Sequence, residues 1–264
     1  MEFLGYFAAV LIGISLGLIG GGGSILSVPV LVYLFGIEAA LSTTYSLFIV
    51  GITSLIGSYS YIQKQLVDFK TVFFFGIPSI ISVFVTKSWI TPAIPTTILQ
   101  IGFFTITKNI LLMLLFAILM LFASVSMIKN KKNEENPPQN INLTALIKIT
   151  LQGLFVGFIT GLVGAGGGFI IIPVLVNLFH IPMKKAVGTS LLIISINSLS
   201  GFIISFKEIA HWQIILNITA IAVIGILIGS YLSNFIDGKK LKKSFGWFVL
   251  IMGIYIILKE TLLK

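Results

Sequence analysis

Long apolar stretches separated by short polar ones run along this 264-residue chain. A helix that crosses a bilayer needs about 20 predominantly apolar residues. The pattern predicts helical segments at about 3–19, 24–36, 41–62, 71–90 and 109–128, then at about 144–163, 168–180, 186–206, 213–233 and 244–259. The second segment of each set is too short to cross upright. We expect it to be either a half-helix that ends near the bilayer middle or a short tilted span.

The two sets of segments repeat each other in sequence. Residues 17–57 align with residues 161–201 without a gap, and 19 of the 41 aligned pairs are identical. The identical pairs include glycines, serines and the prolines Pro29 and Pro173, which apolar bias alone does not bring into register. We therefore divide the chain into a first transmembrane repeat (1–128), a cytoplasmic linker (129–143) and a second transmembrane repeat (144–264).

Composition makes the membrane the expected environment. Hydrophobic residues make up 57% of the chain, charged residues 9%, and the mean hydropathy is +1.11, whereas about a quarter of the residues of a soluble domain are charged. The chain has no cysteine, which excludes disulfides, thiol catalysis and thiolate metal sites. The net charge of +9 comes from lysines beside apolar stretches, so we expect no nucleic-acid partner.

The positions of the lysines predict how the helices are oriented. Cytoplasmic loops carry an excess of positive charge, and lysine runs lie within 129–132, 184–185 and 239–243. Placing these runs inside puts Lys64 inside, the turn at Glu38 outside and both termini outside. The predicted fold is an all-α, polytopic transmembrane helical bundle of two inverted repeats, each with a glycine-broken short helix pair and three long helices. We expect it in the inner (plasma) membrane of a bacterial-type cell.

A glycine-rich interruption precedes the short segment of each repeat, at 20–24 and at 164–168. Runs of small residues do not hold a continuous helix, and the helix that follows starts with free N–H groups and a positive dipole end, which suit an anion. Glycines that merely allow close helix packing are the alternative. Because the interruptions are paired, we favour a binding site formed where they meet. This hypothesis requires a cavity or solvent between them.

Hydroxyl and amide side chains on the next long helices extend the predicted site. Ser46 and Ser190 match across the repeats, and Asn197 is costly in a membrane helix unless it bonds to another helix or to a ligand. Pro29 and Pro173 are expected to be structural. The predicted substrate-binding residues are Gly20, Gly21, Gly22, Gly23, Ser24, Ser46, Gly164, Gly166, Gly167, Gly168, Thr189, Ser190 and Asn197.

Charged residues are nearly absent from the predicted spans. The acidic residues, Glu260 among them, fall at segment ends or in loops, so no carboxylate ladder for protons or Na⁺ is predicted. Lys148 is the lysine that we place furthest into a predicted helix, and we expect its amine to reach the cytoplasmic surface, with a role at the anion entrance as the alternative. No paired-histidine motif, Gly-x-Ser-x-Gly elbow or phosphate loop is present. We therefore expect no enzyme, no metal and no cofactor.

The paired glycine motifs also carry a family resemblance. Residues 17–24 with Pro29, repeated as 161–168 with Pro173 and followed by 186–191, resemble the TauE/SafE family of sulfite and organosulfonate exporters. The resemblance covers essentially the whole chain. It implies a plasma-membrane carrier for sulfite or another small sulfur-containing anion. Tyr45 stands where the second repeat has a small residue, a departure that reshapes the expected pocket.

These observations predict a transporter, in the export direction, that binds a small anion between its halves and works by alternating access. An anion channel and a carrier for small carboxylates bind by the same physics and stay open as alternatives. A membrane enzyme and a structural subunit are less favoured. The expected partners are the anionic substrate and the lipid bilayer, and the sequence leaves a homodimer open.

Overall fold

The computed structural model describes residues 2–101, 104–128, 143–163, 167–177, 179–205 and 212–262. The first half contains α1 (Glu2–Ile19), α2 (Gly22–Tyr33), α3 (Ala39–Gln63) and α4 (Phe69–Val85), which continues through a π-helical turn (Thr86–Ile90) into the short α5 (Thr91–Ala93). Two antiparallel strands, β1 (Thr97–Ile101) and β2 (Phe104–Thr107), then lead into α6 (Lys108–Ile128). The second half contains α7 (Leu143–Val163), α8 (Gly168–Asn177), α9 (Met183–Ile204), α10 (Trp212–Leu232) and α11 (Gly238–Leu262).

The apolar pattern therefore predicted each long helix to within a few residues, apart from α11, which begins six residues earlier than expected. The fold is an all-α polytopic bundle, as predicted. The small hairpin of β1 and β2 was not predicted, because its apolar residues follow the threonines and prolines of residues 91–97 without a turn motif. Most of the predicted linker, residues 129–142, lies outside the described residues.

The outside of the bundle is apolar and its inside carries the polar groups. Within the described residues, six helices are long and apolar enough to cross a bilayer: Ala39–Gln63, Phe69–Ala93, Lys108–Ile128, Leu146–Val163, Met183–Ile204 and Trp212–Leu232. Large side chains such as Phe122 and Ile203 are 73% exposed, while Ser24, Ser54 and Asn197 are fully buried. Exposed apolar surface on this scale needs a lipid environment, so the protein is a multi-pass membrane protein.

Glycines let one helix of each half approach a helix of the other half closely. A methyl group on Gly17 would clash with the backbone of Gly229 and Ser230, so α1 and α10 pack almost backbone to backbone. In the same way, Gly157 of α7 faces the backbone of Ser79 on α4. Small residues spaced four apart are the usual means of such packing in membranes. The two contacts are counterparts, since each joins the first helix of one half to the fourth of the other.

The third helices of the two halves, α3 and α9, cross in opposite directions. Gly201 of α9 faces Leu47 near the start of α3, whereas Gly57, later on α3, faces Leu191 near the start of α9. Both helices are of membrane-spanning length. The starts of α2 and α8 lie against this crossing, and these four helices form the middle of the bundle.

Candidate functional site

The first glycine interruption is shorter than expected. Only Gly20 and Gly21 separate α1 from α2, because Gly22, Gly23 and Ser24 already belong to α2. Gly20 has φ = +77°, a left-handed backbone that side chains other than that of glycine rarely adopt. Gly21 is the N-cap of α2 and has no side chain to accept a bond from the first N–H groups. The break turns the chain and leaves those donors without a side-chain cap.

The described part of the second interruption has the same backbone geometry as the first. Gly167 has φ = +69°, and α8 begins at the next residue, Gly168. Gly164 and Gly166 lie outside the described residues. The carbonyl of Gly167 accepts the N–H groups of Ile170 and Ile171 at 3.0 and 3.1 Å, which starts the helical ladder.

The two interruptions meet, but the space expected between them is closed in this conformation. A methyl group on Gly168 would lie 2.9 Å from Cα of Gly21 and 3.1 Å from Oγ of Ser24. The starts of α2 and α8 therefore touch through their backbones, because glycine on both sides leaves nothing to hold them apart. Gly23 faces away from this contact, against the carbonyl of Ile12 on α1. Among the described residues, the chain thus brings Gly21, Ser24 and Gly168 into direct contact, so the space that the hypothesis requires is not present between these three residues.

The predicted hydroxyls lie around this contact and bond within the protein. Ser24 donates to the carbonyl of Gly21 at 2.7 Å. Ser46 shares a 2.5 Å hydrogen bond with Ser27 of α2. Ser190 donates to the carbonyl of Val187 at 2.9 Å, and its oxygen would lie 2.6 Å from a methyl group on Gly20. Each of the three serines is fully buried beside the start of a short helix or beside the helix itself.

One face of α9 carries a row of residues that extends past the contact of Gly21 with Gly168. Ser190 faces Gly20, Ile194 faces Gly168, and Ser198 follows one turn later on the same face. The hydroxyl of Ser198 is buried without a hydrogen-bond partner, and so is that of Ser54, its match on α3. Buried hydroxyls without partners are rare because they cost free energy. The sequence analysis assigned no role to either serine.

Two predicted residues lie elsewhere. Thr189 accepts the backbone N–H of Asp68 at 2.9 Å and donates to the carbonyl of Lys185, so it joins α9 to the turn before α4. Asn197 donates to Oγ of Ser79 on α4 at 2.6 Å, which is the helix-to-helix role considered for it. Its carbonyl oxygen, Oδ1, is buried without a partner.

The two predicted structural prolines lie inside their short helices, Pro29 within α2 and Pro173 within α8. Neither sits at an interruption.

Charged side chains differ from the sequence analysis in two places. Lys148 is exposed, which agrees with a lysine that reaches the surface. Lys87, in the π-helical turn after α4, is only 8% exposed. The sequence analysis did not single out Lys87, which lies near the end of a predicted segment. Glu260 lies near the end of a helix, as expected, but it is only 7% exposed, and it accepts the hydroxyl of Tyr33 at 2.9 Å. Within the described residues, no group of three or more His, Asp or Glu side chains could hold a metal ion.

Comparison with known proteins agrees with this architecture. Residues 5–260 match the family model described as "Sulfite exporter TauE/SafE". A "Probable membrane transporter protein" of Xylella fastidiosa (strain Temecula1) is 26% identical over 94% of this chain and 91% of its own length. The "Probable membrane transporter protein YunE" of Bacillus subtilis is 30% identical over 70% of each chain.

A relative from an archaeon extends the comparison. The "Probable membrane transporter protein MJ0441" of Methanocaldococcus jannaschii is 28% identical over 73% of this chain and 68% of its own length. No solved structure matches the chain. The matched family and the relatives are membrane transporters, not enzymes. The chain belongs to the TauE/SafE family of membrane transporters.

Proposed function

We propose that this transporter carries a small anion, sulfite or an organosulfonate, and binds it where the starts of α2 and α8 meet. The observation that supports this most is the contact of Gly21 with Gly168. Two helices begin at this buried contact, and the free N–H groups and the positive dipole end of a helix lie at its start. A backbone site of this kind stabilises negative charge without burying a full positive charge.

Serine hydroxyls supply the side-chain part of the proposed site. Ser24, Ser46 and Ser190 flank the contact, and in this conformation each hydroxyl bonds to a neighbouring protein group. A hydroxyl rotates readily, so its hydrogen can turn from a carbonyl to an anion that enters. The hydroxyls of Ser54 and Ser198 have no partner to give up, which makes them additional donors further along α3 and α9.

The space that the hypothesis requires between the interruptions is closed in this conformation, so the proposal depends on alternating access to open it. The anion binds after α2 and α8 separate, and the closed contact belongs to a conformation without substrate. The opposite directions of α3 and α9 support an inverted repeat, because these helices are counterparts in the two halves and both are long enough to span. The proposed orientation puts Lys64 and Lys184 inside, and both termini outside, in the inner membrane.

The family description supports sulfite or an organosulfonate as substrate and supports export as the direction. The relatives' names specify only a membrane transporter. A backbone and hydroxyl site accepts any compact oxyanion of suitable size, so small carboxylates are the second substrate class to test. Flux that saturates with substrate and shows counter-transport is expected of a carrier, and large single-channel currents would instead identify a channel.

The test compares two serine variants with a matched control in proteoliposomes. Ser46→Ala and Ser190→Ala are each expected to raise KM for sulfite about fivefold, because each removes one hydrogen bond worth about 1 kcal/mol. Ser195→Ala is the control, since Ser195 is equally buried on α9 and bonds only to the carbonyl of Leu192. Sulfoacetate, thiosulfate and acetate complete the substrate panel. Equal kinetics in all three variants would remove these serines from the site, and no flux with any of these anions would refute the proposed function.

A further inference from the structure

An apolar groove runs along the outside of the bundle between α4 and α9. Its volume is about 330 Å³, and it is lined by Phe69, Val72, Phe73, Gly76, Ile77 and Ile80 of α4 and by Ile196 of α9. A methyl group on Gly76 would meet no atom within 4 Å, so the missing side chain of this glycine leaves the groove open. We call this surface the α4 groove.

The α4 groove has the depth of one membrane leaflet. Ile80 is eleven residues after Phe69, so the groove extends about 16 Å at 1.5 Å per residue. The hydrocarbon core of a bilayer is about 30 Å thick, and one leaflet contributes about 15 Å of it. Because α4 begins at Phe69, the groove runs from the membrane surface to near the bilayer middle.

The inner end of the groove lies beside a bond between two helices. Ile80 and Ile196 line that end. Their sequence neighbours Ser79 and Asn197 join α4 to α9, since Nδ2 of Asn197 donates to Oγ of Ser79 at 2.6 Å. An acyl chain held in the groove fills the space beside this bond, and packing of that kind stabilises helix contacts in a membrane.

The repeat identifies the positions of α10 that match those of α4. Gly157 faces the carbonyl of Ser79, and Gly13, which precedes the first interruption as Gly157 precedes the second, faces the carbonyl of Ala222. Ser79 and Ala222 are therefore counterparts. The other residues of α4 and α10 match at the same spacing.

The groove is open on α4 because of a glycine that α10 does not share. Gly76, three residues before Ser79, matches Thr219, whose side chain donates to the carbonyl of Ile215 at 2.7 Å. In the same register, Lys70 matches the uncharged Gln213. A glycine in the floor and a lysine at the entrance therefore occur together on α4, and neither has an equivalent side chain on α10.

The outer end of the groove carries positive charge. Lys70 is exposed and lies three residues before Phe73, so it is one turn away on the same side of α4. Lys64 is exposed in the turn that precedes α4. The carboxylate of Asp68, in the same turn, accepts the hydroxyl of Thr71 at 3.0 Å. Lysines at the membrane surface attract anionic lipid headgroups.

The linker of this chain is a poor occupant of such a groove. Residues 129–142 lie outside the described residues, and all of them except Ile141 are polar, charged or proline. In an apolar groove their polar groups would lose water without gaining partners. An acyl chain has no polar group to satisfy there.

We propose that the α4 groove binds one acyl chain of an anionic phospholipid whose headgroup lies at Lys70. The bound chain stabilises the contact of α4 with α9. The groove lies on the outside of the bundle and does not include the contact of Gly21 with Gly168, so the lipid site is independent of the proposed anion site.

The test is native mass spectrometry of the full-length protein, extracted in neutral detergent and given equal amounts of phosphatidylglycerol and phosphatidylcholine with the same long chains. We expect one phosphatidylglycerol per chain, favoured about fivefold, the factor that corresponds to about 1 kcal/mol for one lysine at the surface. Lys70→Gln should bring the ratio of the two lipids close to one, and Lys70→Arg should keep it. Dihexanoyl phosphatidylglycerol should not be retained, because its chains are too short to reach the inner end of the groove.

Matched leucine variants locate the lipid on the protein. Gly76→Leu fills the groove and should abolish retention of phosphatidylglycerol, together with the rise in melting temperature that this lipid gives the natural protein. Ala220→Leu adds the same side chain to the exposed side of α10 and should preserve both effects. Gly76→Ala should also preserve them, because one methyl group takes up little of a volume of about 330 Å³.

Several results would overturn the proposal. Equal retention by Gly76→Leu and Ala220→Leu is one, and equal binding of the two lipids by the natural protein is another. A loss of preference with Lys240→Gln, an exposed lysine of α11, as large as that with Lys70→Gln would mean that lysines in general hold the headgroup. A dimer that Gly76→Leu dissociates, without bound phosphatidylglycerol, would assign the groove to a second copy of the chain. If Gly76→Leu does not fold, the Lys70 variants and the dihexanoyl lipid decide.

Discussion

The glycine contact in the middle of the bundle and the hydroxyls of Ser54 and Ser198, further along α3 and α9, offer negative charge two different environments. The contact of Gly21 with Gly168 is built from both halves and has backbone dipoles and a serine hydroxyl that already bonds within the protein. Ser54 and Ser198 also come one from each half, but their hydroxyls are buried without a hydrogen-bond partner. The difference predicts that the glycine contact must open before it can take an anion, whereas Ser54 and Ser198 have hydroxyls that no protein group occupies.

The largest expected effect tests whether the middle must open. Gly21→Ala puts a methyl group into the backbone of Gly168. A misplacement of about 1 Å at a site of close fit can cost about 100-fold, so we expect anion flux into proteoliposomes to fall by about that factor or more. Gly76→Ala is the matched control, because a methyl group there meets no atom within 4 Å. Equal flux in the two variants would mean that the contact takes no part in transport.

The smallest effect separates stability from binding within the middle region. The hydroxyls of Ser54 and Ser198 are buried without partners, so Ser54→Ala and Ser198→Ala should not lower the melting temperature and should raise it slightly. If these hydroxyls donate to the anion, each substitution raises KM about threefold, for a bond worth about 0.7 kcal/mol. Thermal unfolding and flux, measured on the same preparations, distinguish an effect on stability from an effect on anion binding. Variants that unfold earlier would show that the hydroxyls are bonded in the resting protein.

Much of the fold was predictable because lipid imposes a simple rule on sequence. Segments of about 20 apolar residues must be helical in a bilayer, and this placed α3, α6 and α9 correctly. The repeat placed the interruptions, since Gly20 and Gly167 need left-handed backbone that glycine tolerates. The extent of the unwinding was not predictable. Gly22 and Gly23 are both helical, and Gly23 packs directly on α1, which outweighs its low helix propensity.

The candidate site was predictable in its backbone and less so in its side chains. Ser46 and Ser190 could be found because the repeat matches them, and both lie where expected. The sequence could not show that Thr189 and Ser190 have different roles. Because neighbouring residues lie on different faces of a helix, the hydroxyl of Thr189 faces Asp68 and not the glycine contact. Lys87 lies near the end of its segment, where lysines usually reach the surface. Its burial depends on α5 and α6 closing over it, which apolar periodicity does not reveal.

The side chain of Tyr45, which stands where the second repeat has the smaller Thr189, has a thermodynamic consequence. The free energy of moving the ion between the two compartments does not involve the protein, so the side chain cannot change the final ratio of concentrations. What it can change is how soon each face saturates. The transporter would then work at different concentrations on its two sides, although its two halves derive from one repeated sequence.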